Sequence, residues 1–245
     1  MVDTPAIQYV VQEAVDSGLH DVLLVTGRNK NALENHFDRA AELEAQLEKK
    51  GDADKLAKVN FSTELADVHY VRQGDPKGLG HAVLRARPHV GNESFAVLLG
   101  DDIIDQRDTL LTKMLDVAEK EHTTVVALLE VDPSQIHLYG AAAVETTDDP
   151  DVVKITGLVE KPKAEDAPSN YAIIGRYVLR PEIFNILAHR AGQGRRDPAD
   201  RRPPDDRRGA GLDGRRLRRR LPWPPLRHGR PSRLPEVDRA NRHRP

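Results

Sequence analysis

The sequence predicts an α/β fold built on a mostly parallel, mixed sheet. Three apolar runs have the length and continuity of strands buried on both faces: residues 21–27 (DVLLVTG), 95–100 (FAVLLG) and 123–131 (TTVVALLEV). The stretches between them carry apolar residues at helical spacing, so strands and helices alternate. After the third run come strands with few helices, which predicts an inserted or mixed part of the sheet that covers a site.

The elements follow in order. Residues 5–17 place Ile7, Val10, Val11, Ala14 and Val15 on one helical face, with Thr4 as cap, Pro5 in the first turn and Gly18 as the stop. The strand 21–27 follows. Residues 31–50 read as one charge-laced helical stretch, and 67–71 as a short strand. That strand runs into VRQGDPKGLGHA (71–82), a loop holding three glycines, a proline and two cations. A helix restarts at 81–87. The strand 95–100 ends on Asp101-Asp102. Residues 109–120 are helical, and 123–131 are the third buried strand. Further strands are expected at 140–145, 152–160 and 171–179, then a short helix at 181–189 opened by Pro181.

Composition bounds the function. The chain has 245 residues, 38% apolar and 31% charged, which fits a water-soluble domain with one core. It has no cysteine, which excludes disulfides and cysteine-based zinc sites. No run approaches the roughly 20 apolar residues that span a bilayer, and the first residues lack the basic-then-apolar pattern of a signal peptide. A cytoplasmic location and no membrane partner are the expectations. The net charge of −2 conceals a split: residues 1–194 carry 20 Lys+Arg against 32 Asp+Glu, a net of −12, and residues 195–245 carry 17 Arg against 7 Asp+Glu, a net of +10. The second stretch is Arg/Pro-rich and lacks a hydrophobic period. The expected organisation is therefore one domain over 1–194 and a disordered tail over 195–245.

The candidate chemistry lies at strand carboxyl ends, where open α/β sheets bind ligands. Asp101 and Asp102 suit Mg²⁺, which takes one or two carboxylates plus substrate phosphates, and equally suit a solvated turn. The Gln73 amide offers a donor and an acceptor to a nucleobase edge, or belongs to a surface turn. Lys77 and Arg72 are phosphate partners or solvated charges, and His81 fits a structural or capping role. Glu160 and Lys161 close a strand before Pro162 and suit sugar hydroxyls and a phosphate, or an ordinary turn. Tyr139-Gly140 allows close backbone approach, and Asn170 suits a hydroxyl or a turn cap. Taken singly, the residues leave these alternatives open.

Their order does not. VRQGDPKGLGHA, AVLLGDD, QIHLYGAAAV, GLVEKP and SNYAIIGRYVL follow one another, and the chain from Val2 to about Gly194 resembles the bacterial UTP–glucose-1-phosphate uridylyltransferases of the sugar-nucleotide pyrophosphorylase family. The resemblance implies a Rossmann-like three-layer nucleotidyltransferase fold. It also implies an enzyme that makes UDP-glucose and pyrophosphate from UTP and glucose 1-phosphate with Mg²⁺. It implies Gln73 on the uracil edge, Gly78 and Gly80 against the nucleoside, and Asp101 as metal ligand, with Asp102 second to it. Gly140, Glu160 and Lys161 become the sugar-phosphate site, with Lys161 on the phosphate, Glu160 on hydroxyls and Asn170 also on the sugar side. Asp101 and Lys161 are then the catalytic pair. A homo-oligomer is consistent with the family.

Two departures qualify the resemblance. Family members begin with a strand and a loop of the type GxGTRxxPxTKxxPKEMLP, and here Met1 stands just before the segment that follows it. The family also continues with segments like GGEIQLTDA, YDTGD and YLKSIVQIA. Codons for these, read two nucleotides out of frame, give RDPADRR (196–202), LRHGRP (226–231) and LPEVDRANR (234–242), in order. A truncated fragment with a frameshifted tail is the expectation, with pyrophosphate release near background. The alternatives are an inactive gene remnant, a relative using another sugar 1-phosphate or dTTP, and a nucleic-acid binder acting through the basic tail. Of these, no specific nucleic-acid partner is expected, because Trp223 is the tail's lone aromatic platform.

Overall fold

The computed structural model describes residues 4–193 and 215–219. Helix α1 (Ala6–Asp16) buries Val10, Val11 and Ala14, the stripe its spacing requires. Its N-cap is Pro5 rather than Thr4, and no side chain caps it. Strand β1 (Asp21–Thr26) pairs in parallel with β2 (Asp67–Arg72), from Asp21↔Asp67 to Thr26↔Arg72.

Three helices lie between these strands. The single stretch expected over 31–50 is broken into α2 (Asn31–Phe37) and α3 (Ala41–Lys50). Asp38 turns extended after α2, Phe37 is buried, and Arg39 forms an ion pair with Glu44 across the break. That pair holds the Glu44 carboxyl below its ordinary range. Gly51, in the left-handed region at φ 68°, ends α3. Then comes α4 (Ala53–Thr63), whose first turn is capped by the Asp52 carboxylate accepting from Lys55 N at 3.3 Å. Val11, Phe37 and Leu65 form the core under this small parallel sheet.

After β2 come α5 (Leu79–Arg85), α6 (Arg87–Val90), β3 (Phe95–Leu98), α7 (Leu110–Glu121) and β4 (Val125–Glu130). The later strands are β5 (Gly140–Thr146), β6 (Val152–Glu160) and β7 (Tyr171–Leu179), followed by α8 (Ile183–Gln193). Of the arginine-rich tail, Arg215–Arg219 is among the described residues, and it forms β8 rather than unstructured chain. β4 and β6 each present an edge to it, with register Leu128↔Arg218 and Val153↔Arg216. The boundary expected after residue 194 lies outside the described residues.

The larger sheet runs β3-β7-β4-β8-β6-β5, with a further pairing of β5 to β7. It is mixed, as expected, but its ladders are mostly antiparallel: among the described residues, parallel pairing is confined to β1–β2 and β4–β8. The connections dictate this. From β4 to β7 the chain carries no α-helical crossover, and only antiparallel neighbours can be joined by short links. Strand β4 is buried from Val125 to Leu129, as its apolar run requires. β1 is less buried than expected, with Val25 37% exposed, because β2 is its one sheet partner among the described residues. No helix among the described residues is long and apolar enough to cross a membrane.

Candidate functional site

The glycine loop joins β2 to α5. Gln73 leaves β2 with its backbone N–H donating to Thr26 O at 2.9 Å, so the loop starts against the end of β1. Its side-chain Nε2 donates to Gly78 O at 3.1 Å and lies 3.2 Å from His81 Nδ1. A carbonyl can only accept, which fixes the amide with its NH₂ turned into the loop. Both its hydrogens are engaged, and among the described residues no group donates to Oε1. His81 therefore supports Gln73. Gly78, the N-cap of α5, sits at φ 86° and ψ 178°, a conformation closed to most L-residues. Gly80 has a packing reason: an added Cβ would come 2.9 Å from Leu187 Cδ2 of α8. Arg72 faces Glu34 at 3.6 Å, and Lys77 is exposed.

The acidic turn follows β3. Its two aspartates are not equivalent. Asp101 is exposed, and among the described residues its carboxylate has no hydrogen bond or ion pair. Asp102 is committed: its Oδ2 accepts from Gly175 N at 2.7 Å, and its backbone carbonyl accepts from Arg176 Nη2 at 2.7 Å. Arg176 is fully buried in β7. It donates to both oxygens of Glu13 from α1 (2.7–3.1 Å) and to the carbonyls of Leu99 at 3.3 Å and Gly175 at 3.0 Å. One guanidinium thus fixes the turn to β7 and to α1 at once. Gly175 permits the contact, since an added Cβ would collide with Asp102 Oδ2 and come 2.7 Å from Leu99 Cβ. Gly175→Ala is expected to lower stability by about 1–3 kcal/mol through overpacking, read as a shift in the denaturant midpoint.

The third group stands on the β5–β6 hairpin. Gly140 pairs with Glu160 across it, and an added Cβ on Gly140 would come 3.3 Å from Glu160 Oε2, so the carboxylate lies over the glycine. Lys161 follows at φ 45°, a left-handed conformation uncommon for lysine, and its N–H donates to Tyr139 O at 3.0 Å. The approach to Tyr139 is a 3-10 turn over Pro133–Leu138, opened by the Asp132 carboxylate accepting from Ser134 Oγ at 2.6 Å and Ser134 N at 2.8 Å. Those bonds hold the Asp132 carboxyl below its ordinary range. Asn170 is exposed just before β7, and its backbone carbonyl accepts from Val131 N at 3.0 Å.

Strand β7 aligns two of these groups. β3 pairs along one edge of β7 as far as Leu98↔Arg176, and Leu99 N donates to Gly175 O. Ala172 pairs with Leu129 of β4 on one side and with Ala141 of β5 on the other, so β5 continues the edge that β3 leaves. The acidic turn at Gly175 and the hairpin at Ala172 are three residues apart, about 10 Å at roughly 3.4 Å per residue. The glycine loop leads into α5, whose Val83 packs with Leu179 and Phe184.

Sequence reasoning grouped Gly140, Glu160 and Lys161, and the fold brings them together. It missed Glu13, Gly175 and Arg176, which hold the acidic turn. The signal was present: a lone arginine inside an apolar strand and a lone glutamate beside Val10, Val11 and Ala14 are each costly unless paired.

Comparison with known proteins adds relatives. A family model described as nucleotidyl transferase matches residues 1–200. A UTP–glucose-1-phosphate uridylyltransferase of Staphylococcus epidermidis is 48% identical over 187 residues, 76% of this chain. The chain spans 65% of the length of that relative. A UDP-glucose pyrophosphorylase solved with UDP-glucose aligns at TM-score 0.66 and 40% identity, over 76% of this chain and 68% of the other. A UTP-bound enzyme of the same name from Acinetobacter baumannii aligns at TM-score 0.73 and 33% identity, over 89% of this chain and 75% of the other.

Proposed function

The chain belongs to the nucleotidyl transferase family, and from that premise we propose that its site is built for uridylyl transfer from UTP to glucose 1-phosphate, giving UDP-glucose and pyrophosphate. The observation that carries this reading is the alignment on β7. It anchors the turn that carries Asp101 three residues along β7, about 10 Å at roughly 3.4 Å per residue, from the pairing of Ala141 next to Gly140. A phosphate joined to a sugar fits the cluster, and a nucleoside triphosphate bridges back to the turn.

A phosphate oxygen of the sugar phosphate attacks the α-phosphorus of UTP. The bond to the bridging oxygen breaks, and pyrophosphate leaves with its electron pair. No covalent enzyme intermediate is needed, so the protein supplies alignment and charge neutralisation. Lys161 holds the attacking phosphate and offsets its charge. Glu160, over Gly140, accepts from sugar hydroxyls, with Asn170 beside the hairpin. Asp101 fits a hard divalent cation: it is an exposed oxygen ligand with no protein partner among the described residues, and Mg²⁺ takes one or two carboxylates plus phosphate oxygens. When bound, that ion supplies neutralisation of the triphosphate.

Gln73 sets the base. With its NH₂ engaged by Gly78 O and His81 Nδ1, Oε1 is the atom left without a partner among the described residues, and it accepts from a base N3–H. Uracil carries that proton and cytosine does not. Thymine carries it too, so dTTP is discriminated elsewhere, by the space around C5. Gln73→Ala is expected to weaken UDP-glucose binding and to reduce the preference for UTP over CTP by about tenfold, the worth of one hydrogen bond.

The deciding measurement is calorimetric titration of the chain with UDP-glucose, CDP-glucose and ADP-glucose, beside pyrophosphate release from UTP and glucose 1-phosphate with Mg²⁺. Saturable binding of UDP-glucose over the other two, weakened by Lys161→Ala, is the expected result. Equal binding of all three, or none, would sink the reading.

A further inference from the structure

A second cluster of ligating side chains lies at the other end of the strands. Asp21 is the first residue of β1, and His69 is on β2. The parallel register, Asp21↔Asp67 and Leu23↔His69, puts both on one face of the pair. His89 reaches the same point from α6, the helix that precedes β3. Both imidazoles turn Nε2 towards one carboxylate oxygen: His89 Nε2 lies 2.9 Å and His69 Nε2 3.7 Å from Asp21 Oδ1. The two rings are 4.8 Å apart between centroids, tilted at 52°. Among the described residues this is the one group of three His, Cys, Asp or Glu whose ligand atoms all lie within 4.8 Å of one another.

We propose that Asp21, His69 and His89 form a binding site for a divalent cation of the zinc class. Two neutral imidazoles and a carboxylate are a borderline-soft donor set, which suits Zn²⁺ and its transition-metal neighbours and not Mg²⁺. Zinc–ligand bonds of about 2.0–2.1 Å put tetrahedral ligands roughly 3.4 Å apart. The present separations, 2.9 and 3.7 Å to Asp21 Oδ1 with all three ligand atoms within 4.8 Å of one another, lie within about 1.5 Å of that, a shift open to three exposed residues. Three protein ligands leave the fourth position to water.

The alternative is a His–Asp ion pair with a second histidine beside it. An ion pair needs one histidine; the second, with its Nε2 also turned towards Asp21 Oδ1, completes a three-ligand set.

Position gives the site a consequence. β1 and β2 form a sheet separate from the one that holds β3, and no strand pairing among the described residues joins the two. An ion held by Asp21, His69 and His89 would tie the first sheet to α6, and through α6 to β3. It would act at the amino ends of β1 and β2, away from Asp101 at the carboxyl end of β3, so a metal there is separable from Mg²⁺ at the acidic turn.

The test is calorimetric titration of the full chain with ZnCl₂ in a non-chelating buffer, with thermal unfolding read in parallel. One saturable site is expected, unchanged by excess MgCl₂ and weakened by acidification as the imidazoles protonate. His69→Ala and His89→Ala should each weaken it by about 10- to 100-fold and remove the rise in Tm on adding zinc. His137→Ala, at an exposed histidine on another element, should leave both unchanged. His69→Gln serves if His69→Ala folds poorly, with the metal-free circular dichroism spectrum as the check. Absence of a saturable site, zinc binding that survives both histidine substitutions, or equal loss in His137→Ala would overturn the proposal.

Discussion

Arg176→Leu is expected to cost about 3–5 kcal/mol, the penalty for breaking a buried ion pair from one side. At roughly 2–4 °C per kcal/mol for a domain of this size, Tm should fall by about 10 °C. The cost comes from what is left behind. Glu13, with its side chain 10% exposed, keeps a charge without its partner. The carbonyl of Asp102 loses its donor, that of Leu99 keeps Asp102 N–H alone among the described residues, and the turn that carries Asp101 loses its anchor on β7. Because Glu13 belongs to α1, which also packs on the β1–β2 core through Val11, the loss loosens the contact between the two sheets. The double variant Glu13→Leu/Arg176→Leu should recover part of the loss, since burying two apolar groups avoids the stranded charge. Arg176→Lys should fall between, keeping the charge but not the planar fork that reaches the Glu13 oxygens and three carbonyls together. If the single variant lost less than about 1 kcal/mol, typical of an exposed pair, the anchoring role would be wrong.

What the sequence made legible, and what it hid, follows from where each signal acts. The run TTVVALLEV could be read as a buried strand because every face of β4 meets core, and the ends of β6 and β7 agree with the pattern. DVLLVT carries an equally apolar run, but burial depends on neighbours, and among the described residues β1 has one strand beside it. α4 was missed because ADKLAKVNFST buries no residue, so no apolar stripe announces it. The break at Asp38–Ala40 was invisible because propensity favours continuing a charge-laced helix, and tertiary contacts of Phe37 and Glu44 override it. At the site, the grouping of Gly140, Glu160 and Lys161 came from motif order and is matched by hairpin register. Gly80 shows the limit of such reading: it lies in the glycine loop, yet the atom nearest its missing side chain belongs to Leu187 of α8. Residue type announces that a glycine is needed and does not say which neighbour needs it.

The adjacent aspartates give the sharpest separation of chemistry from scaffold. Asp101→Ala should leave stability within about 0.5 kcal/mol, because an exposed side chain with no partner among the described residues holds nothing in place. It should instead remove the Mg²⁺-dependent part of UTP binding and lower any turnover by about 100-fold or more, the scale of losing a charge-stabilising group at a phosphoryl centre. Asp102→Ala should show the opposite pattern. The Gly175 N–H would lose its acceptor, costing about 1–3 kcal/mol, while the carboxylate beside it remains to meet the metal. The comparison needs two readouts on each variant, thermal unfolding and the Mg²⁺ dependence of UTP affinity. Asp102 accepts from Gly175 at 2.7 Å, so metal binding through it would require breaking that bond or sharing the oxygen. A result in which Asp102→Ala abolishes the Mg²⁺ response and Asp101→Ala unfolds the chain would exchange their roles, and would mean that the turn rearranges when the triphosphate binds.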